Sequence, residues 1–198
     1  IREMLSNVPS SVTALRVRNV EAVWGPNDDI KQPYGGRYFR KPLNSKISWL
    51  ITPLLYGRLA FFYKKGLLGH SSGKHFLRQG TEFTHIGSHT SLNGNEKLGH
   101  WAHNVTPGSK DMVVAHYDAI SFSRWHEKWR RRITGETHAK NMSIHRRLQM
   151  LRIKKALTAN DVDAAKLFRR FYGLNRWQKM VLTALGNLET HIVWDRSK

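Results

Sequence analysis

The sequence predicts an α/β domain followed by a basic α-helical C-terminal region. Up to residue 135, stretches with strand-like alternation are interleaved with helix-like stretches, whereas after Gly135 the apolar residues recur at helical spacing only. Positive charge is also concentrated toward the C-terminus, because residues 121–198 contain 18 Lys and Arg but only 6 Asp and Glu. With 198 residues, 40% of them hydrophobic, the chain is long enough to build a sizeable core.

Local signals predict the individual elements. Residues 11–24 are rich in β-branched side chains and alternate over Val12, Ala14 and Val17, which indicates a strand. Proline and glycine cluster in residues 25–44, which are expected to be irregular. Further short strands are predicted at 74–78, 82–89 and 112–117. Helices are predicted at 122–133 behind an N-cap at Ser121, at 143–157, from Asn160 to a stop at Gly173, and at 177–185 behind Asn175.

Residues 47–63 form the most apolar segment of the chain. A length of about 17 residues is near the lower limit for a membrane span, and Pro53, Gly57 and Arg58 interrupt the segment. A buried or interfacial helix is therefore expected rather than a span. Its Trp and Tyr residues, together with the Lys64 and Lys65 that follow, would suit a peripheral contact with a membrane.

The formal net charge of +19 predicts affinity for polyanions. Nucleic acid, an anionic membrane face and phosphorylated substrates all fit such a field, and so does a basic protein whose charges are simply solvated. In the helix predicted at 122–133, basic residues alternate with Trp125 and Trp129. That helix would bind nucleic acid by phosphate contact and stacking, lie on an anionic membrane, or bury its tryptophans and leave its arginines in solvent.

Residues 116–118, His-Tyr-Asp, lie where a predicted strand gives way to the helix capped by Ser121. Sheets of α/β proteins place ligands at such positions, which makes His116 and Asp118 candidate site residues. The alternative to a binding role for His116 is a structural one, in which its imidazole donates a hydrogen bond to a backbone carbonyl group.

The other candidate metal motifs carry less weight. His85 and His89 have the i, i+4 spacing of a metal-binding pair, but the glutamate of the H-E-x-x-H pattern is missing between them, and a zinc site is not expected. Asp161 and Asp163 begin a helix, where acidic side chains suit the helix dipole, so they are not assigned to a D-x-D metal motif. The chain contains no cysteine, which excludes disulfides, a thiol nucleophile and Cys-ligated metals.

The segment from Gly69 to Lys74 combines small residues with a lysine. Its spacing is one residue too short for a P-loop. Small residues would still let the backbone approach a ligand closely, with Lys74 facing an anionic group, and a plain turn between two elements is the alternative.

Three stretches, in this order, resemble the C-terminal half of bacterial family 2 glycosyltransferases. They are the strand that opens at Leu15-Arg16-Val17-Arg18 and runs to Trp24, the segment from Gly69 to Arg78, and the block from His116 to Lys128. The resemblance covers roughly residues 5–132 and depends on the order of all three stretches. It implies a partial GT-A-like domain over residues 1–135 and does not account for residues 136–198, which charge and helical spacing predict to be a basic helical tail.

The resemblance implies transfer of a sugar from a nucleotide-sugar donor to a polysaccharide or lipid-linked acceptor, in the cytoplasm or at the inner face of the membrane. In such enzymes an upstream D-x-D holds a divalent metal, Mn²⁺ or Mg²⁺, against the diphosphate of the donor. This chain begins with Ile1 and carries neither that motif nor the usual first βαβ units. It is therefore expected to be the acceptor-side half of an enzyme, inactive alone.

The resemblance also assigns roles to individual residues. Asp118 is the candidate general base of an inverting displacement, and His116 is the candidate contact to the metal or the diphosphate. The substrate-binding candidates are His70, Ser71, Lys74, His89 and Lys128. Two competing expectations remain, namely a nucleic-acid-binding protein that uses the basic C-terminal helices and a scaffold that has lost catalysis.

Overall fold

The computed structural model describes residues 5–69, 73–86, 91–93, 96–98, 100–101, 113–135 and 144–190. The fold is mixed α/β, and the chain divides into two compact units. The first unit comprises Ile1–Val20 and His70–Ala115, and the second comprises Glu21–Gly69 and His116–Lys198. This division differs from the predicted boundary at residue 135, because the C-terminal helices belong to the same unit as residues 21–69.

Nine strands occur in the described residues. They are β1 (Ala14–Val23), β2 (Tyr38–Arg40), β3 (Lys74–Leu77), β4 (His85–Ile86), β5 (Ser91–Asn93), β6 (Glu96–Leu98), β7 (His100–Trp101), β8 (Val113–His116) and β9 (Leu188–Thr190). The long first strand and the strands predicted near residues 74–78 and 112–117 are confirmed. Strand β2 falls in the stretch predicted to be irregular, and β9 lies beyond the last predicted helix.

The described residues contain five α-helices. They are α1 (Ser45–Tyr56), α2 (Phe122–Ile133), α3 (Ile144–Ala159), α4 (Asp161–Tyr172) and α5 (Arg176–Ala184). A 3₁₀ helix, Gly57–Phe62, follows α1 directly. Across the described ranges, every helix is too short or too polar to traverse a lipid bilayer.

The helix termini form where the sequence signals lie. Ser121, Asn160 and Asn175 each accept a backbone N–H bond through the side chain at the start of α2, α4 and α5. Helix α4 ends at Gly173, whose φ of −91° is an ordinary extended value rather than a left-handed one. Glycine is required there for another reason, since a Cβ atom would lie 2.5 Å from the Arg169 carbonyl oxygen.

The first unit is built on the first half of β1. Antiparallel β3 pairs with it from Ala14 opposite Leu77 to Val17 opposite Lys74, and β7 pairs with it in parallel. A separate antiparallel sheet consists of β4, β5 and β6. Val12, Leu15 and Val17 form a small buried cluster.

The second unit holds the large core. The end of β1 pairs antiparallel with β2, and β2 pairs antiparallel with β9. The backbone of Trp24 anchors the C-terminal helices. Its backbone N–H donates to the Tyr172 carbonyl at 2.8 Å, and its backbone carbonyl accepts from the Leu174 N–H at 2.7 Å. The helices predicted to form a tail supply much of the core, with buried Ile153, Ala164, Leu167, Phe168, Phe171, Tyr172, Leu174 and Leu182.

Candidate functional site

A buried ion pair fixes the end of β1 in the second unit. The Arg40 Nε donates to Glu21 Oε2 at 2.8 Å, and both side chains are almost completely buried. The guanidinium also donates to the Tyr56 hydroxyl and the Phe171 carbonyl, and its Cζ lies 4.9 Å from the centre of the Tyr63 ring. Burial alone would lower the pKa of Arg40, but the charge of Glu21 raises it well above its usual value, so the guanidinium stays cationic.

The same carboxylate holds the segment that leads into the Gly- and His-rich region. Glu21 Oε2 accepts the Leu68 N–H at 3.1 Å and Oε1 accepts the Gly69 N–H at 2.7 Å. Both oxygens are therefore occupied. In the sequence, Glu21 is the single acidic residue of a strand whose neighbours Val20, Ala22 and Val23 are apolar. That isolated charge within an apolar run is the signal that would have marked it.

His116 lies against Gly69. A Cβ atom on Gly69 would come within 3.2 Å of the His116 Nδ1 and Cε1 atoms and 3.1 Å of Glu21 Oε1. The close approach of ring and backbone thus depends on the absence of a side chain at position 69. His116 ends strand β8 and is only partly buried.

Asp118 is the centre of a second polar cluster, the Asp118 cluster, formed with Lys128, Arg146 and Tyr172. The Lys128 ammonium donates to Asp118 Oδ1 at 3.1 Å and to its backbone carbonyl at 2.7 Å. The Tyr172 hydroxyl donates to Oδ2, and an Arg146 nitrogen lies 3.6 Å from Oδ1. Burial by itself raises the pKa of the Asp118 carboxyl, but Lys128, Arg146 and the Tyr172 hydrogen bond outweigh it and hold that pKa well below its usual range.

This geometry favours an anchoring role for Asp118 over proton abstraction. A general base works best with a pKa near the operating pH, whereas this carboxylate binds a proton weakly and has both oxygens engaged. Burial and the Asp118 charge raise the pKa of Tyr172, so its hydroxyl remains a donor. Lys128, predicted to meet an anionic substrate, directs its ammonium to Asp118. The cluster ties the start of α2 to α3 and α4.

The remaining predicted residues are distributed differently. Lys74 lies in the first unit, in β3 opposite Val17, whereas His116, Asp118 and Lys128 lie in the second unit. His85 is exposed in β4. His70, Ser71 and His89 lie outside the described residues.

The described residues do not fit a divalent metal at His116. Glu21 is the carboxylate beside the same glycine, and its oxygens are taken by Arg40 and two backbone N–H groups. Within the described ranges, no group of three or more His, Asp or Glu side chains has the arrangement of a metal site. The nearest described carboxylate is thus already engaged, and the contact of His116 to a metal or a diphosphate stays a prediction.

The two tryptophans of α2 are core residues. Trp125 and Trp129 are fully buried, and Trp125 packs edge-on against Phe168 with ring centres 5.5 Å apart. Stacking of nucleic-acid bases on these two rings, one of the expectations for this helix, is therefore wrong. The alternative, in which the indoles are buried and the arginines are solvated, holds.

A basic cavity of about 510 Å³ lies between α3 and α4. Alanine and leucine side chains form part of its wall, and Asp163 is its one acidic lining residue. The cationic residues that line it are Arg152, Lys155, Lys166, Arg169 and Arg170. Such a cavity is suited to a phosphate-bearing ligand.

Comparison with known proteins adds no assignment. A scan against protein-family models, a search of curated proteins and a search of solved structures each found no match to this chain.

Proposed function

We propose that this chain forms the acceptor-side part of a nucleotide-sugar-dependent glycosyltransferase of the GT-A type, similar to bacterial family 2 enzymes. The observation that supports it most is that three residues from distant parts of the sequence lie close together in the second unit. Glu21, Gly69 and His116 each come from one of the three stretches that carry the resemblance, and they lie together around the Gly69 backbone. Glu21 precedes Gly69 by 48 positions and His116 follows it by 47, so residues distant along the chain form one local arrangement.

The proposed chemistry centres on His116. Departure of a nucleoside diphosphate needs charge neutralisation. A partly buried imidazole at a strand end, beside a glycine backbone, is suited to donate a hydrogen bond to a phosphate or a sugar hydroxyl. Glu21 would fix the backbone against which the ligand lies. Asp118 and Lys128 would hold the start of α2 in place, so the general base would come from elsewhere in the enzyme. The acceptor would be a polysaccharide or a lipid-linked glycan.

The test uses protein expressed from its complete reading frame. Transfer from a panel of nucleotide sugars, with Mg²⁺ or Mn²⁺, is followed through release of the nucleoside diphosphate and incorporation of labelled sugar. His116→Ala should lower the rate by at least about tenfold, while His85→Ala, a change of the same kind at an exposed position, should leave it unchanged. An unchanged rate in His116→Ala would remove His116 from the proposed site.

The basic cavity between α3 and α4 supports nucleic-acid binding as a second candidate. Its affinity would rest on phosphate contacts alone, since Trp125 and Trp129 are buried. Oligonucleotide binding that falls steeply with salt and is weakened by Arg169→Gln with Arg170→Gln, combined with no response to any nucleotide sugar, would favour this candidate over the transferase.

A further inference from the structure

Helix α1 and the 3₁₀ helix expose an apolar surface. The side chains of Trp49, Leu50, Leu54 and Phe61 are between 50% and 73% exposed, although large apolar residues of this kind are usually buried. The opposite side of the same segment is anchored in the core through Leu55, Tyr56 and Leu59. The segment is therefore attached to the core through its buried side, and most of its other side remains open to solvent.

Helix α3 continues this exposed apolar surface. Ile144, Leu148 and Leu151 recur at the spacing of one helix face and are exposed, whereas Gln149 and Ile153 on the other face are buried. The two segments meet at Phe61, whose ring centre lies 4.4 Å from that of His145, and whose carbonyl lies 3.1 Å from His145 Nδ1. The name Trp49 surface is used below for the exposed side chains of Trp49, Leu50, Leu54, Phe61, Ile144, Leu148 and Leu151.

The two segments that carry the Trp49 surface are basic and contain no acidic residue. Residues 45–65 contain four Lys and Arg and no Asp or Glu, and residues 144–159 contain five and none. Among them, Lys46, Arg58, Lys64, Lys65 and Arg147 are exposed. Apolar side chains bordered by cations match the boundary of an anionic bilayer, where acyl chains lie beneath negative headgroups.

The polar atom of the largest exposed side chain is already satisfied. The indole N–H of Trp49 donates to the Lys46 carbonyl at 2.9 Å within α1. Insertion of the ring into the headgroup and acyl boundary would therefore leave no donor unpaired, which removes the main cost of moving an indole out of water.

We infer that the Trp49 surface binds an anionic phospholipid bilayer, with α1 lying in the plane of the interface and its basic neighbours at the headgroups. This inference does not depend on the transferase proposal, because none of its residues belongs to the His116 site. A second copy of the chain fits the same surface poorly. A two-fold contact places each patch against itself, so the cations of residues 45–65 and 144–159 would be brought together without a carboxylate from either segment to offset them.

The experiment measures binding of the full chain to vesicles by flotation. Phosphatidylcholine vesicles are compared with vesicles that contain about 30 mol% phosphatidylglycerol. The wild-type chain should bind the anionic vesicles and should release as salt is raised. Lys64→Gln with Lys65→Gln should weaken binding by roughly 30-fold. Each cation near an anionic surface contributes about fivefold to the affinity, and the two contributions multiply.

A matched pair of variants isolates the apolar contribution. Trp49→Glu with Leu54→Glu should abolish binding, whereas Trp177→Glu with Met180→Glu, exposed apolar residues on α5, should bind like the wild type. Bromine-labelled lipids should quench tryptophan fluorescence in the wild type and much less in Trp49→Phe. All of these positions are exposed, so circular dichroism should show unchanged folding.

Three results would overturn the inference. One is equal binding to neutral and anionic vesicles. Another is equal loss of binding in the Trp49/Leu54 and Trp177/Met180 variants. The third is a chain that ignores vesicles but is dimeric by light scattering and becomes monomeric with Trp49→Glu and Leu54→Glu, which would assign the surface to self-association.

Discussion

Asp118→Asn separates an anchoring carboxylate from a catalytic one. The substitution preserves the shape of the side chain but removes its charge. Tyr172 is fully buried, and a hydrogen bond from its hydroxyl to a charged acceptor contributes roughly 1.5–3 kcal/mol, about half of which would persist with a neutral amide. Lys128 and Arg146 have side chains that are 32% and 23% exposed. Solvent screening limits each of these two ion pairs to about 1 kcal/mol.

These contributions together predict a destabilisation of about 3 kcal/mol for Asp118→Asn. The free energy of unfolding is measured by urea denaturation followed by tryptophan fluorescence, because Trp24, Trp125 and Trp129 are fully buried in the unit that contains Asp118. Tyr172→Phe should cost about 1–2 kcal/mol, and the double variant should cost less than the two single changes together.

Two results would refute this reasoning. A loss of stability below about 1 kcal/mol in Asp118→Asn would show that the Asp118 cluster does not hold the helices together. Unchanged stability together with loss of sugar transfer would restore the general-base role that the resemblance assigned to this residue.

Three further predictions concern the second unit. The folded-state pKa of Asp118 lies below its unfolded value of about 3.9, so the stabilising effect of the charged carboxylate is complete above roughly pH 4 and is lost as the pH falls further. The urea midpoint should therefore fall more steeply on acidification in the wild type than in Asp118→Asn. Parallel curves for the two proteins would contradict this. Glu21→Gln should destabilise the chain by about 3 kcal/mol, because the buried Arg40 loses its counter-charge; a change below about 1 kcal/mol in the same denaturation assay would show that Arg40 is satisfied without it. Trp125→Ala should cost about 3–5 kcal/mol, as expected for an emptied core site, whereas Trp177→Ala, at a half-exposed position, should cost under about 1 kcal/mol; weakened oligonucleotide binding in Trp125→Ala without loss of stability would return that ring to a binding surface.

The elements that the sequence predicts well are those determined by nearby residues. Helix α2 begins and ends where it was predicted, because Ser121 caps it from one position away and its apolar residues recur at one spacing. Strand β1 is long enough for its alternation to be evident. Strands β2 and β9 contain three residues each. Strand β2 is held by pairing with β1 on one side and β9 on the other, and β9 is held by pairing with β2. No local pattern of three residues identifies such a pairing.

The polar clusters were only partly accessible to sequence reasoning. The strand end before Ser121 singled out His116 and Asp118, but the partners that define their surroundings are distant along the chain. Tyr172 lies 54 residues after Asp118, and Arg40 lies 19 residues after Glu21. The sequence shows that a carboxylate is present. Only tertiary contacts decide whether that carboxylate is free to accept a proton or already holds hydrogen bonds on both oxygens.

Helix α3 shows how the fold places the charge of the C-terminal region. Apolar residues occupy both of its faces, so periodicity shows that Ile144, Leu148 and Leu151 share a face but does not show which face is buried. Ile153 enters the core, and the other face remains outside with its basic neighbours. Most basic residues of α2, α3 and α4 therefore lie on the outer surface of helices that contribute to the core. The exposed rings of Trp49 and Phe61 belong to a segment that is rich in lysine and arginine, whereas Trp125 is enclosed. A polyanion that needs both charge and an apolar contact thus finds them together on the Trp49 surface, which favours a lipid headgroup layer over a nucleic-acid strand stacked on α2.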